Sequence, residues 1–143
     1  MNQQIIYDRD FLDGFDNKTI QEIAEEKAIV KSSRHKSYYR DDNYKKVPVD
    51  VKIEYTKHAS DQIIYRELNW KNLEASIVRG ISSIFRLSNT LDSDFKIYSN
   101  KYFTVIPGEA YFEKNRSLIR IRVKTAFISP TPSYHVDEKL IYV

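Results

Sequence analysis

Two short stretches of strict alternation constrain this chain more than any other feature. Val49, Val51, Ile53 and Tyr55 alternate with Asp50, Lys52 and Glu54, while Ile119, Ile121 and Val123 alternate with Arg120, Arg122 and Lys124. Successive strand side chains point to opposite faces, so each stretch has one apolar face and one charged face. A sheet made of such strands must hide its apolar side beneath another layer. Helical periodicity supplies that layer. Leu73, Ile77, Ile81 and Ile84, with Val78 and Phe85 beside them, form the apolar stripe of a helix capped at Asn69 and ending near Leu87. Earlier, Thr19 and Glu22 have the spacing of a capping box. Ile20, Ile23, Ala24 and Ala28 then recur at helical spacing, with acids early and Lys31 late, which predicts a first helix over 20–32.

The remaining segments follow from turn and breaker residues. Pro48 suits the first position of a strand. Residues 102–106 and 109–113 flank Pro107-Gly108, which reads as a turn between two strands. Phe127 extends the apolar side of the 119–123 strand. Ser129 to Ser133 breaks the ladder, and Leu140 to Val143 forms a closing strand at a sheet edge. Asp61 to Leu68 fits either the first turns of the second helix or a strand paired onto 49–55. Ser33 to Lys46 has no apolar period and reads as a loop or extended arm. The expected fold is therefore α+β: two helices packed on a mostly antiparallel sheet with a C-terminal β-meander. Residues 1–16 form an N-terminal arm, and residues 17–143 form a single domain that includes the basic arm 33–46.

Composition excludes several kinds of chemistry. The chain has 143 residues, 41% hydrophobic and 30% charged, as a globular domain requires. Without cysteine there is no disulfide framework, thiolate nucleophile or cysteine-ligated metal. No apolar run approaches the roughly 20 residues of a spanning helix, and Met1-Asn2-Gln3-Gln4 does not open a signal peptide. The expected location is the cytoplasm or a virion assembled there, with no membrane contact. Phosphate-cradling glycine motifs are lacking, and His35, His58 and His135 have no metal-ligand spacing. No cofactor and no small-molecule substrate is expected.

Charge is unevenly spread. Residues 1–30 carry a net −4, residues 31–46 a net +4 and the remainder a net +3. An acidic head beside a basic segment suggests surfaces that pair within or between chains. The basic segment also interleaves rings with cations: Arg34, Lys36, Tyr38, Tyr39, Arg40, Tyr44, Lys45 and Lys46. With Arg120, Arg122 and Lys124 these cations could line a groove for nucleic acid.

Three resemblances attach to particular residues. Asp50-Val51-Lys52 after Pro48 resembles the acid-x-lysine half of the PD-(D/E)-x-K nucleases, which implies a metal-dependent cleavage site with Asp41 or Asp42 as the second acid. Thr19 to Glu26 followed by Lys31-Ser32-Ser33 resembles the first helix and turn of a lactose-repressor-type helix-turn-helix. It departs where Ala28 replaces the turn glycine and Arg34 replaces a buried β-branched residue. The order helix, strand, helix, meander resembles small phage proteins of head–tail connectors, tail completion and baseplates. That resemblance implies a non-enzymatic structural protein working as a ring-like oligomer, with itself or neighbouring structural proteins as partners. The candidate interface residues are Ile5, Tyr7, Phe11, Phe15, Tyr38, Tyr39, Tyr44, Leu140 and Tyr142. The alternative is a small nucleic-acid-binding protein.

Overall fold

The computed structural model describes residues 20–87, 92–131 and 140–143. Within these residues four helices and seven strands follow in the order α1 (Ile20–Lys27), β1 (Ile29–Arg40), β2 (Lys46–Thr56), α2 (Lys57–Tyr65), α3 (Trp70–Arg79), α4 (Ile81–Leu87), β3 (Asp92–Ser99), β4 (Thr104–Glu113), a 3₁₀ turn, β5 (Leu118–Val123), β6 (Phe127–Ile128) and β7 (Leu140–Tyr142). The strands form one sheet in the order β1-β2-β5-β4-β3-β7, with β6 pairing β4 in line with β5. Among the described strands β2–β5 and β3–β7 pair in parallel and the remaining pairs are antiparallel. The fold is α+β, with helices packed on a mostly antiparallel sheet.

Register explains which face the helices cover. Val51, Ile119 and Phe112 stand in one row across β2, β5 and β4. Ile53, Ile121 and Ala110 stand in the next, and Tyr55, Val123, Gly108 and Phe95 in the one after. These rows meet Ile63 of α2, Leu73 and Ile77 of α3, and Ile81 and Ile84 of α4 in a continuous core. Each such buried aliphatic side chain contributes about 1.5–3 kcal/mol relative to exposure. The helices start on side-chain caps: Thr56 Oγ1 accepts from Ala59 N at 3.0 Å and Asn69 Oδ1 from Asn72 N at 3.1 Å. Among the described residues no helix is long and apolar enough to cross a membrane.

Several expectations need correction. The first helix stops at Lys27 because Ile29 to Arg40 is already a strand, so the segment 33–46 is not a free arm. It is β1 and a tight hairpin, in which Asp41 Oδ1 accepts from Asn43 N at 2.8 Å and Lys45 N at 2.9 Å. No second helix follows α1, which removes the helix-turn-helix geometry. The stripe 69–87 is broken at Gly80 into α3 and α4, where an added Cβ would lie 3.2 Å from Ile97 Cδ1. The ambiguous stretch after Ser60 continues α2. Phe127 belongs to β6 rather than to the 119–123 strand. The expected N-terminal arm, 1–16, lies outside the described residues.

Pro107-Gly108 is no turn either; both residues lie inside β4, and the chain reverses at 100–103. Proline is tolerated there because Lys124 to Ala126 interrupt the neighbouring ladder between β5 and β6, and the Pro107 carbonyl accepts from Lys124 N at 3.0 Å. Glycine is required for room. A Cβ at Gly108 would stand 2.7 Å from Phe95 Cζ and 2.9 Å from the Arg122 carbonyl oxygen. The backbone atom cannot yield as a ring can. Gly108→Ala is therefore expected to cost about 1–3 kcal/mol through overpacking, read as a lower denaturant midpoint with an unchanged slope.

Candidate interaction surface

The site begins with one missing N–H. Pro48 stands opposite Tyr38, and a proline cannot donate, so this pair exchanges no hydrogen bonds. Antiparallel ladders alternate bonded and non-bonded pairs. Ser37, His35 and Ser33 therefore bond to β2, while Tyr38, Lys36, Arg34 and Ser32 turn their backbone groups away from it. An independent bond agrees: Asp50 N, opposite Lys36, donates to the Ser117 carbonyl beside β5 at 2.9 Å. Among the described residues β1 pairs only with β2. Its outer edge thus presents the N–H and C=O groups of Ser32, Arg34 and Lys36. The Tyr38 carbonyl accepts from Ser82 Oγ of α4 at 3.3 Å.

The inward side of β1 is polar, and α3 fastens it. Glu74 accepts from Ser33 Oγ at 2.8 Å and from Tyr55 OH at 2.9 Å, and its other oxygen meets His35 Nε2 at 2.7 Å. Lys31 Nζ sits 4.5 Å from the centre of the Trp70 ring, which stands edge-on to Tyr55. Farther along, Tyr39 stacks on Phe85 at 3.8 Å between ring centres and meets Phe112 edge-on. Tyr39 is thus part of the packing against the helices, which corrects its placement among the interface residues. Ser33, His35 and Glu74 are the residue types of a hydrolytic triad, but the geometry differs. Serine and carboxylate approach the same ring nitrogen, with Ser33 Oγ 3.5 Å from Nε2, and the serine proton is spent on Glu74. A triad requires the two partners on opposite nitrogens.

On the face turned away from α2–α4, the cations divide into two groups. Arg120 Nη2 lies 3.1 Å from Glu54 Oε1, with Lys52 at 3.8 Å and Arg122 at 4.0 Å from the same carboxylate. Lys124 Nζ lies 3.1 Å from Asp94 and 3.6 Å from Glu109. The Arg120, Arg122 and Lys124 row is therefore matched by carboxylates from β2, β3 and β4. Glu54 is only 5% exposed, a desolvated charge that its ring of cations compensates. The β1 group differs. Arg34, Lys36 and Lys45 form no ion pair among the described residues, Lys46 Nζ lies 4.5 Å from the Tyr38 ring centre, and Arg40 donates to the Tyr44 carbonyl at 2.9 Å.

Tyr38 is 40% exposed on this face and Tyr44 80% exposed in the hairpin turn. Leu140 and Tyr142 stand at the opposite sheet edge, on β7, with Tyr142 54% exposed. Ile5, Tyr7, Phe11 and Phe15 lie outside the described residues. Asp50 and Lys52 share a face, as alternation requires, but Lys52 is turned to Glu54. Asp41 is spent on the hairpin, and no three His, Asp or Glu side chains gather among the described residues to hold a metal. Sequence reasoning missed the edge backbone of 32–36, because a backbone edge has no residue signature.

Burial, then the charge of Glu74 and the hydrogen bond to it, raises the Tyr55 hydroxyl well above its ordinary 10.0. The folded chain then keeps a proton that the unfolded chain releases, so this stability is full below about pH 10 and falls above it by roughly 1.4 kcal/mol per pH unit. Tyr55→Phe is expected to cost about 1.5–3 kcal/mol at neutral pH and to flatten the alkaline loss, measured by urea titration across pH. No family model, no curated protein sequence and no solved structure matches this chain.

Proposed function

We propose that this chain is a non-enzymatic structural protein that assembles into a ring-like oligomer, of the kind phage heads and tails use at their joints. The outer row of β1 carries this reading. A 12-residue edge strand whose outward donors and acceptors at Ser32, Arg34 and Lys36 meet no partner among the described residues is a template for another strand. Natural edges are commonly blunted by short length, bulges, proline or charge; β1 carries Arg34, Lys36 and Arg40 but no proline, and keeps one register from Lys31 to Arg40. Tyr38, Tyr44 and Tyr142 add exposed rings of the type that interfaces favour. The expected partners are further copies of the chain or neighbouring structural proteins.

Proline at an outward position provides the test. Lys36→Pro removes a donor that faces away from β2, so the intramolecular ladder is kept. His35→Pro removes one that faces β2. Lys36→Pro is expected to weaken self-association about tenfold or more with little change in thermal midpoint, whereas His35→Pro lowers the midpoint itself. Sedimentation and thermal melts distinguish the two. Wild-type protein that stays monomeric at every concentration, alone and with candidate structural partners, would remove this reading.

The unpaired cations favour a second reading, a nucleic-acid-binding protein using Arg34, Lys36, Arg40, Lys45 and Lys46 around the Tyr38 ring. Binding to sheared duplex should then weaken with salt, and Arg34→Ala or Lys36→Ala should each reduce the logarithmic slope by about 1. Neutralising Arg120, Arg122 or Lys124, already matched by carboxylates, should change the slope less. A salt-independent affinity would dispose of this alternative.

A further inference from the structure

We infer that the strand received by the β1 edge is β7 of a second copy, joined head to tail so that the sheet continues from one subunit into the next. This inference rests on the assembly reading and specifies its partner. The first argument is charge. If two β1 edges paired with each other about a two-fold axis between residues 34 and 37, every register would set at least one of Arg34, Lys36 and Arg40 opposite a cation of the other copy. Like charges directly opposite in a ladder are destabilising, and no acid on the outer face of β1 relieves them.

The second argument is the character of the opposite edge. Val143 N donates to the Tyr98 carbonyl at 2.9 Å, and the Val143 carbonyl accepts from Asn100 N at 3.1 Å. Both Val143 groups therefore face β3. Two residues earlier Ile141 does the same, leaving the backbone groups of Leu140 and Tyr142 turned outward. Their side chains stand on the face that carries Arg34, Lys36 and Tyr38 in β1, and both are uncharged. Placed beside β1, the Tyr142 ring offers its face to Arg34 or Lys36 and brings no like charge.

The third argument is polarity. β7 runs parallel to β3, which through β4 and β5 runs parallel to β2; β1 runs opposite to β2. Copies related by rotation about an axis along the strands would therefore set β1 antiparallel to β7, the better-bonded arrangement. Pairing Arg34 with Tyr142 and Lys36 with Leu140 would use two outward residues on each side. Such heterologous contacts close into rings where the rotation permits.

The chain has no cysteine, so introduced thiols report contacts without background. Directly bonded antiparallel partners have Cα atoms about 5.5 Å apart, within the range a disulfide spans. Full-length Tyr142→Cys is mixed in turn with Ser32→Cys, Arg34→Cys, Lys36→Cys and, on the opposite face, Ser37→Cys, then oxidised gently and resolved by mass. The expected result is a mixed disulfide with one outward β1 position, strongest at Arg34, and at least tenfold less with Ser37→Cys. Arg34→Cys that cross-links mainly to itself would overturn the inference in favour of a two-fold β1 contact. No mixed disulfide at any position, while Lys36→Pro still lowers the assembled mass, would overturn it and leave the assembly reading standing. A wild-type chain that never associates would overturn both.

Discussion

Every direction of β2 is committed, and the rest of the molecule depends on that. Its odd-numbered side chains, Val49 to Tyr55, form the floor of the core, and its even-numbered ones form the charged outer face. The backbone groups of Asp50, Lys52 and Glu54 turn to β5, and those of Val49, Val51 and Ile53 turn to β1. The parallel contact with β5 brings together segments more than sixty residues apart, with α2, α3 and α4 between them. It is this non-local pairing that places Glu54 among Arg120, Arg122 and Lys52. It also leaves β1 as an edge, since β2 has no further side to offer.

The parts legible in the sequence are those where one rule dominates. Alternation at 49–55 and 119–123 marks half-buried strands because burial on one face is strong and local. The stripe from Leu73 to Ile84 marks a helical layer for the same reason, although the close approach of Gly80 to Ile97 divides it in two. β1 was illegible as a strand because its helix-facing row is Ser33, His35, Ser37 and Tyr39. That row is satisfied by Glu74 and Phe85, residues some forty positions away in the chain. A polar edge strand held by a distant carboxylate has the local composition of a loop. Pro107-Gly108 misled for a related reason: the pair suits a turn, but here it meets a gap in one ladder and a close ring on the other side.

The same reasoning accounts for the candidate surface. Sequence position alone grouped the cations of β1 and β5 together, yet their environments differ. Those of β5 face carboxylates of three neighbouring strands, and a matched charge has little left to offer a ligand. Those of β1 have no such neighbours on one side, since among the described residues no strand lies there. Topology, rather than composition, decides which of two similar basic rows stays available.

The row of side chains beneath β1 carries a further consequence for how the hairpin is made. Sliding β1 by one residue along β2, whose own directions are held by β5, would turn Ser32, Arg34 and Lys36 toward the helices and carry Ser33 and His35 away from Glu74. Two cations would then meet the helical layer in place of a serine and a histidine that Glu74 holds. One wrong step inverts the whole strand, so its alignment is chosen by an all-or-none exchange of faces rather than by degrees.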